Sequence, residues 1–120
     1  MTTSKYFKEE EFKKASPPCS LQNMKQDFIT LLDKTREAAK IPFHINCAYR
    51  SVEHEKKMGR SGTSAHTEGR AADVRAKDSR SKFLIVDAAI RAGITRIGVH
   101  KDFIHLDNSQ KLDYKVLWLY

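Results

Sequence analysis

Cysteine is nearly missing from this 120-residue chain, with Cys19 and Cys47 the only two. They are too few and too far apart to build a cysteine-based metal site, and two free, partly buried thiols are the simplest expectation. Long apolar runs are missing too. Runs such as Phe83 to Val86 and Val116 to Tyr120 fall far short of the roughly 20 residues that span a bilayer as a helix, so no membrane insertion is expected. The opening residues, Met1-Thr2-Thr3-Ser4-Lys5-Tyr6-Phe7-Lys8-Glu9, hold no apolar core of signal-peptide length. The protein is therefore expected to be made in the cytoplasm. A substrate beyond the membrane would be reached through lysis, a separate pore or carriage on a particle. Glycine (5) and proline (3) are sparse, so no low-complexity linker divides the chain, and there is no internal repeat. One domain over residues 1–120, acting as a monomer, is the expectation.

Positive charge, in contrast, is plentiful. Lys and Arg number 22 against 15 Asp and Glu, a net charge of +7. The excess is spread along both halves and forms no tail. It favours polyanions of any kind, nucleic acid or a wall rich in phosphate and carboxylate. No nucleic-acid module accompanies it, so no nucleic-acid partner is expected.

Periodicity and caps divide the chain into short elements. Phe7 and Phe12 face inward from a helical turn that Ser16-Pro17-Pro18 ends. Ser20 is a plausible N-cap for one long helix to Ala39, with Leu21, Met24, Phe28, Leu31, Leu32 and Thr35 on a single face. Phe43, Ile45 and Cys47 alternate as in a half-buried strand. Ser51 caps a short helix to about Met58, and Gly59 to Thr67 reads as a loop. Ala71 to Arg75 reads as a strand. A helix from about Lys82, opened by Ser79 or Ser81, stops at Gly93. Ile94–Val99, Phe103–Leu106 and Tyr114–Tyr120 read as strands. This order predicts an α+β fold, a small, mainly antiparallel sheet with helices packed on one side.

The residues suited to chemistry cluster in two places. Ser64-Ala65-His66-Thr67-Glu68-Gly69-Arg70-Ala71-Ala72-Asp73 holds a histidine and an aspartate, and Asp102-Phe103-Ile104-His105 holds a second histidine and a spare carboxylate. A loop-borne His66, a strand-borne Asp73 and His105 from a neighbouring strand can converge on one metal. Three N/O ligands with an open fourth position are what a catalytic zinc requires. Asp102 can approach that metal only from the turn before the strand, because odd spacing along a strand points side chains to opposite faces. Asp107 shares a face with His105 and could orient it. His44 and His54 read as solvated surface histidines.

The pattern Ser-x-His-x-x-Gly-x-Ala-x-Asp followed by Asp-x-x-His resembles the zinc D-alanyl-D-alanine carboxypeptidases and related peptidoglycan peptidases, which share a fold with the hedgehog signalling domain. Tyr49-Arg50-Ser51 resembles that family's Gly-Tyr-Arg-Ser element, with Ala48 in place of the glycine. The likeness runs from Tyr6-Phe7 to Asp107. It implies a hedgehog/D-peptidase-like fold and one Zn2+ per chain held by His66, Asp73 and His105. It further implies Asp102 as general base, Arg50 as the cation that steadies the substrate carbonyl and its oxyanion, His100 as an assisting residue, and Ser64 as a residue that lines the site.

The activity implied is hydrolysis of peptidoglycan stem peptides by a zinc metallopeptidase of phage or bacterial type, most simply as a D-alanyl-D-alanine carboxypeptidase. An endopeptidase of endolysin type, cutting within the stem or crosslink, is the alternative. Arg60, Arg70 and Arg75 are candidates to grip a terminal carboxylate. A zinc-stabilised binding module without catalysis is a third reading; it gives no reason to keep a base and Arg50 beside the ligands. Zinc is favoured by the donor set, although cobalt or nickel could load in vitro.

Overall fold

A computed structural model describes residues 1–120. Four helices, α1 (Glu9–Lys13), α2 (Gln26–Ala39), α3 (Val52–Lys57) and α4 (Ser79–Ala92), accompany five strands, β1 (Ile45–Cys47), β2 (Ala71–Arg75), β3 (Arg96–Val99), β4 (Phe103–Asp107) and β5 (Val116–Leu119). The strands form one sheet in the order β1-β2-β4-β3-β5. The first three pairings are antiparallel. The fourth, β3 with β5, is parallel, so the sheet is mixed where local pattern shows only separate strands. No helix is long and apolar enough to cross a membrane.

Period-two alternation separates the faces of the sheet. Ala72, Val74, Ile97, Ile104 and Leu106 are buried and join the hydrophobic core with Phe28, Ile29 and Leu32 of α2 and Ile85, Ala88 and Ala89 of α4. Helices α2 and α4 pack against each other on that side. The opposite face carries the polar residues. The pairings place Cys47 beside Asp73, Asp73 beside His105, His105 beside Gly98, and Gly98 beside Trp118. One row across all five strands therefore carries most of the chemistry.

The long helix expected from Ser20 is broken. Ser20 does cap, accepting the Gln22 N–H at 3.0 Å, but it opens only a 3₁₀ turn over Leu21–Asn23. Met24 and Lys25 are extended before α2 begins. The cause is tertiary. The Lys25 N–H bonds the Gly69 carbonyl at 2.9 Å. A Cβ on Gly69, whose φ is +73°, would lie 2.3 Å from the Asn23 carbonyl oxygen. Backbone meets backbone there, which only glycine permits. The break thus clamps the turn that follows His66. The loop expected from Gly59 to Thr67 tightens at its end into a 3₁₀ turn, Ala65–Glu68, that carries this histidine. Helix α4 starts earlier than expected because Asp78, not a serine, caps it through the Ser81 N–H at 3.1 Å. It ends at Gly93, in the left-handed region at φ +105°.

Candidate active site

His66, Asp73 and His105 meet in a cleft of about 320 Å³ on the polar face of the sheet, at the small end of the range for ligand pockets. His66 Nε2 lies 3.4 Å from Asp73 Oδ1, and His105 Nδ1 lies 2.9 Å from the same oxygen. The other nitrogen of each ring is taken. His66 Nδ1 donates to the Ala48 carbonyl at 2.5 Å. His105 Nε2 donates to Asp107 Oδ2 at 2.6 Å. Both rings are therefore oriented from behind, with the remaining nitrogens turned toward one carboxylate oxygen. Ligand atoms around a tetrahedral zinc at about 2.0–2.1 Å stand roughly 3.3–3.4 Å apart, close to the His66–Asp73 spacing and somewhat wider than the Asp73–His105 one. Two imidazole nitrogens and a carboxylate are donors of the kind zinc takes.

The three groups are also coupled electrostatically. Burial works against the Asp73 carboxylate, yet the hydrogen bonds and charges of His105 and His66 hold its pKa well below the usual range. Burial also disfavours charge on His105, but its bonds to Asp107 and Asp73 outweigh this and raise its pKa. Three buried groups balance one another, which buried charges require.

Cys47 also stands near, and Cys47, His66 and Asp73 offer ligand atoms within 4.8 Å of one another. The expectation that cysteine plays no part here thus meets a rival donor set. Two observations weigh against it. The Cys47 Sγ lies 3.7 Å from His66 Nδ1, the nitrogen already bonded to Ala48. The sulfur is also already taken by Arg50 Nη1, which donates to it at 3.4 Å. Replacing Cys47 by serine is expected to leave one zinc per chain by elemental analysis. Loss of the metal in Cys47→Ser would transfer the site to the cysteine set.

The remaining expected residues divide. Arg50 and Ser64 line the cleft. Both are held by Glu55, which is 1% exposed: Oε2 receives Arg50 Nε at 2.8 Å and the Ser64 hydroxyl at 2.5 Å. Arg60 lines the cleft and forms no ion pair, whereas Arg70 is bound to Asp27 and Arg75 lies by another pocket, near Lys77 and Asp78.

Asp102 is not among the residues that line the cleft, although it occupies the turn from which the base was expected to act. It precedes β4, its N–H bonds His100 Nδ1 at 3.0 Å, and its carbonyl takes the Ala76 N–H. His100 is stacked on Phe103 at 4.3 Å and meets Tyr120 edge-on at 5.4 Å.

The carboxylate that does stand in the cleft beside His105 is Asp107, 0% exposed. Besides His105 it accepts Arg96 Nε at 3.0 Å and the Ser109 N–H at 3.0 Å. Its place on the His105 face was legible from the spacing of two. Glu55, Arg96, Trp118 and Tyr120 were missed. For Glu55 a signal existed: it lies four residues after the cap Ser51, one helical turn along α3. For the others none did, because Arg96 depends on the register of β3 against β4, and Trp118 and Tyr120 on which strand β5 joins.

A family model described as Peptidase M15 matches residues 5–107 of the chain. No curated protein matches it in sequence. Among solved structures, the crystal structure of the Serratia marcescens L-Ala D-Glu endopeptidase ChiX is similar, with a TM-score of 0.59 at 20% identity, covering 91% of this chain and 90% of that one. At this identity the likeness is one of fold.

Proposed function

The chain belongs to the Peptidase M15 family, and from that premise we propose that residues 1–120 form one zinc-dependent peptidase domain that hydrolyses stem peptides of bacterial peptidoglycan. The observation that carries this reading is the convergence of His66 Nε2 and His105 Nδ1 on Asp73 Oδ1, each ring held from behind by its other nitrogen. These three residues would hold the metal. When bound there, zinc supplies Lewis acidity toward a scissile carbonyl and brings the pKa of water to about 7.

The chain's own groups do the rest. Arg50 enters the cleft with its Nε fixed by Glu55, so its permanently charged fork is aimed before substrate arrives. A preorganised donor of this kind stabilises charge that develops on the carbonyl oxygen. Asp107 holds the His105 ring and its tautomer, while Arg96 and the Ser109 N–H hold Asp107. Ser64 shares Oε2 of Glu55 with Arg50 and so supports the same wall.

Between the two bond choices, cleavage within the stem is favoured over removal of a terminal D-alanine. The similar fold of a protein described as an L-Ala D-Glu endopeptidase, matched over nine-tenths of both chains, supports it. The test is to incubate the zinc-loaded protein with defined muropeptides and to identify the products by mass spectrometry. Internal fragments are expected. Release of D-alanine alone would return the carboxypeptidase reading, and intact peptides would sink the whole proposal.

The two aspartates near His105 should separate cleanly. Asp107→Asn is expected to weaken zinc affinity by about 10–100-fold, the usual cost of losing a group that orients a ligand. Asp102→Asn is expected to keep zinc but lose nearly all hydrolysis, because Asp102, in the turn before β4, is the general base that the family resemblance implies. Zinc content and cleavage rate of both variants, measured side by side, decide it. Hydrolysis at the parent rate in Asp102→Asn would show that Asp102 is not the base.

A further inference from the structure

The C-terminal strand β5 gives the cleft a wall that the metal cluster does not need. Trp118 stands level with Gly98 in the parallel pairing, and Gly98 is level with His105. A Cβ on Gly98 would lie 2.6 Å from the Trp118 indole. The bare glycine therefore lets the ring lie down across β3 and reach His105, 5.3 Å away between centroids. Arg96 covers the indole at 5.1 Å and also bonds Asp107 and the Asp113 carbonyl. One arginine thus ties β5 to the residue that orients His105. Two positions on, Tyr120 packs edge-on against Phe103 at 5.4 Å, yet it remains 63% exposed. Its ring is anchored on one side and open on the other. Both aromatic residues lie beyond residue 107, where the family match ends.

The lining combines cations with aromatic rings. Arg50, the unpaired Arg60 and Arg96 line the cleft together with Trp118, Tyr120 and Phe103. Open aromatic faces gain by covering apolar groups, while their negative π-faces disfavour carboxylates. The small volume of the cleft leaves little room for a long side chain. We infer that Trp118 and Tyr120 are substrate-contacting, specificity-determining residues, which select a small apolar, alanine-type residue beside the scissile bond. This inference rests on the peptidase reading above. Acidic groups of the substrate then fall to the arginines.

Trp118 is the only tryptophan, so its fluorescence reports on this wall alone. The experiment titrates the zinc-saturated protein with a synthetic stem pentapeptide, following emission and cleavage in parallel. A saturable emission change is expected. Tyr120→Ala is expected to raise KM roughly tenfold or more, as loss of a buried aromatic contact does, with kcat within about threefold. Its zinc content and melting temperature should match those of the parent, and Tyr120→Phe should recover most of the loss. Gly98→Ala, which must dislodge the indole, should also act chiefly on KM. A pentapeptide with glutamate in place of alanine at the scissile bond should be cleaved at least tenfold less efficiently by the parent. Cleavage of the pentapeptide with unmoved emission, or with KM unchanged in Tyr120→Ala, overturns the inference and leaves the peptidase reading standing. So does equal cleavage of the glutamate peptide. No cleavage and no emission change overturn both. An emission change without cleavage overturns the peptidase reading, and with it the inference that rests on it.

Discussion

Replacing His105 by alanine is expected to empty the metal site and abolish hydrolysis together. His105 would supply one of only three protein bonds to zinc, so its removal should cost well beyond the about 10–100-fold that follows loss of a ligand's orienting partner. The fold should survive. His105 faces the cleft, while its neighbours Ile104 and Leu106 point into the core and stay buried. Asp107 would lose the ring but keep Arg96 and the Ser109 N–H. Elemental analysis, cleavage rate and circular dichroism of the variant check the three parts of this statement. A folded His105→Ala protein that still holds one zinc would mean that Cys47, His66 and Asp73 are the ligands. The companion result for Cys47→Ser would then have to reverse as well.

Arg50→Lys is expected to lower kcat by about 10²–10³-fold, equivalent to about 2.7–4 kcal/mol of transition-state stabilisation, the cost of removing one well-aimed donor. The zinc content should not change. The reason is the geometry of the fork. Arg50 Nε is committed to Glu55 at 2.8 Å and Nη1 to the Cys47 sulfur at 3.4 Å, while its backbone N–H bonds the His66 carbonyl at 3.2 Å. A planar guanidinium can hold those partners and still present an edge to the cleft. A lysine ammonium is a single point and must choose between Glu55 and the substrate. Glu55 is buried with Oε1 unpartnered, so the lysine charge should turn to it. Single-turnover rates at saturating substrate measure the effect, and a melting curve separates it from loss of stability. An unchanged kcat/KM would reduce Arg50 to a counter-ion of Glu55.

Much of the local structure was legible without coordinates. The bounds of β2 at Ala71 and Arg75, the Ser51 cap of α3 and the Gly93 stop of α4 all match. These features are written in short windows, through alternation, a hydroxyl at a helix start and a residue free to turn left-handed. The candidate ligands were legible for a similar reason. Ser64-x-His66-x-x-Gly69-x-Ala71-x-Asp73 is one short loop and strand, and its chemistry is tied to its own spacing. Gly69 even carries its tertiary reason, since the Asn23 backbone leaves no room for a Cβ.

What the sequence by itself determined, then, was the set of elements, the α+β class and the family with its metal-binding residue types. The tertiary structure alone decided which groups share the cleft. Asp102 and Asp107 flank His105 at three and two residues, and the sequence does not say which of them bonds the ring. β4 begins at Phe103, so Asp102 lies in the turn before the strand, while Asp107 shares the face of His105 and bonds it. Glu55 beneath Arg50, and Trp118 beside His105, follow from the helix α3 folding back on its own cap and from β5 lying parallel to β3. Alternation within a strand fixes which side chains share a face, but it says nothing of the neighbour that strand will choose or of its direction. That choice is made by the summed packing of the whole sheet.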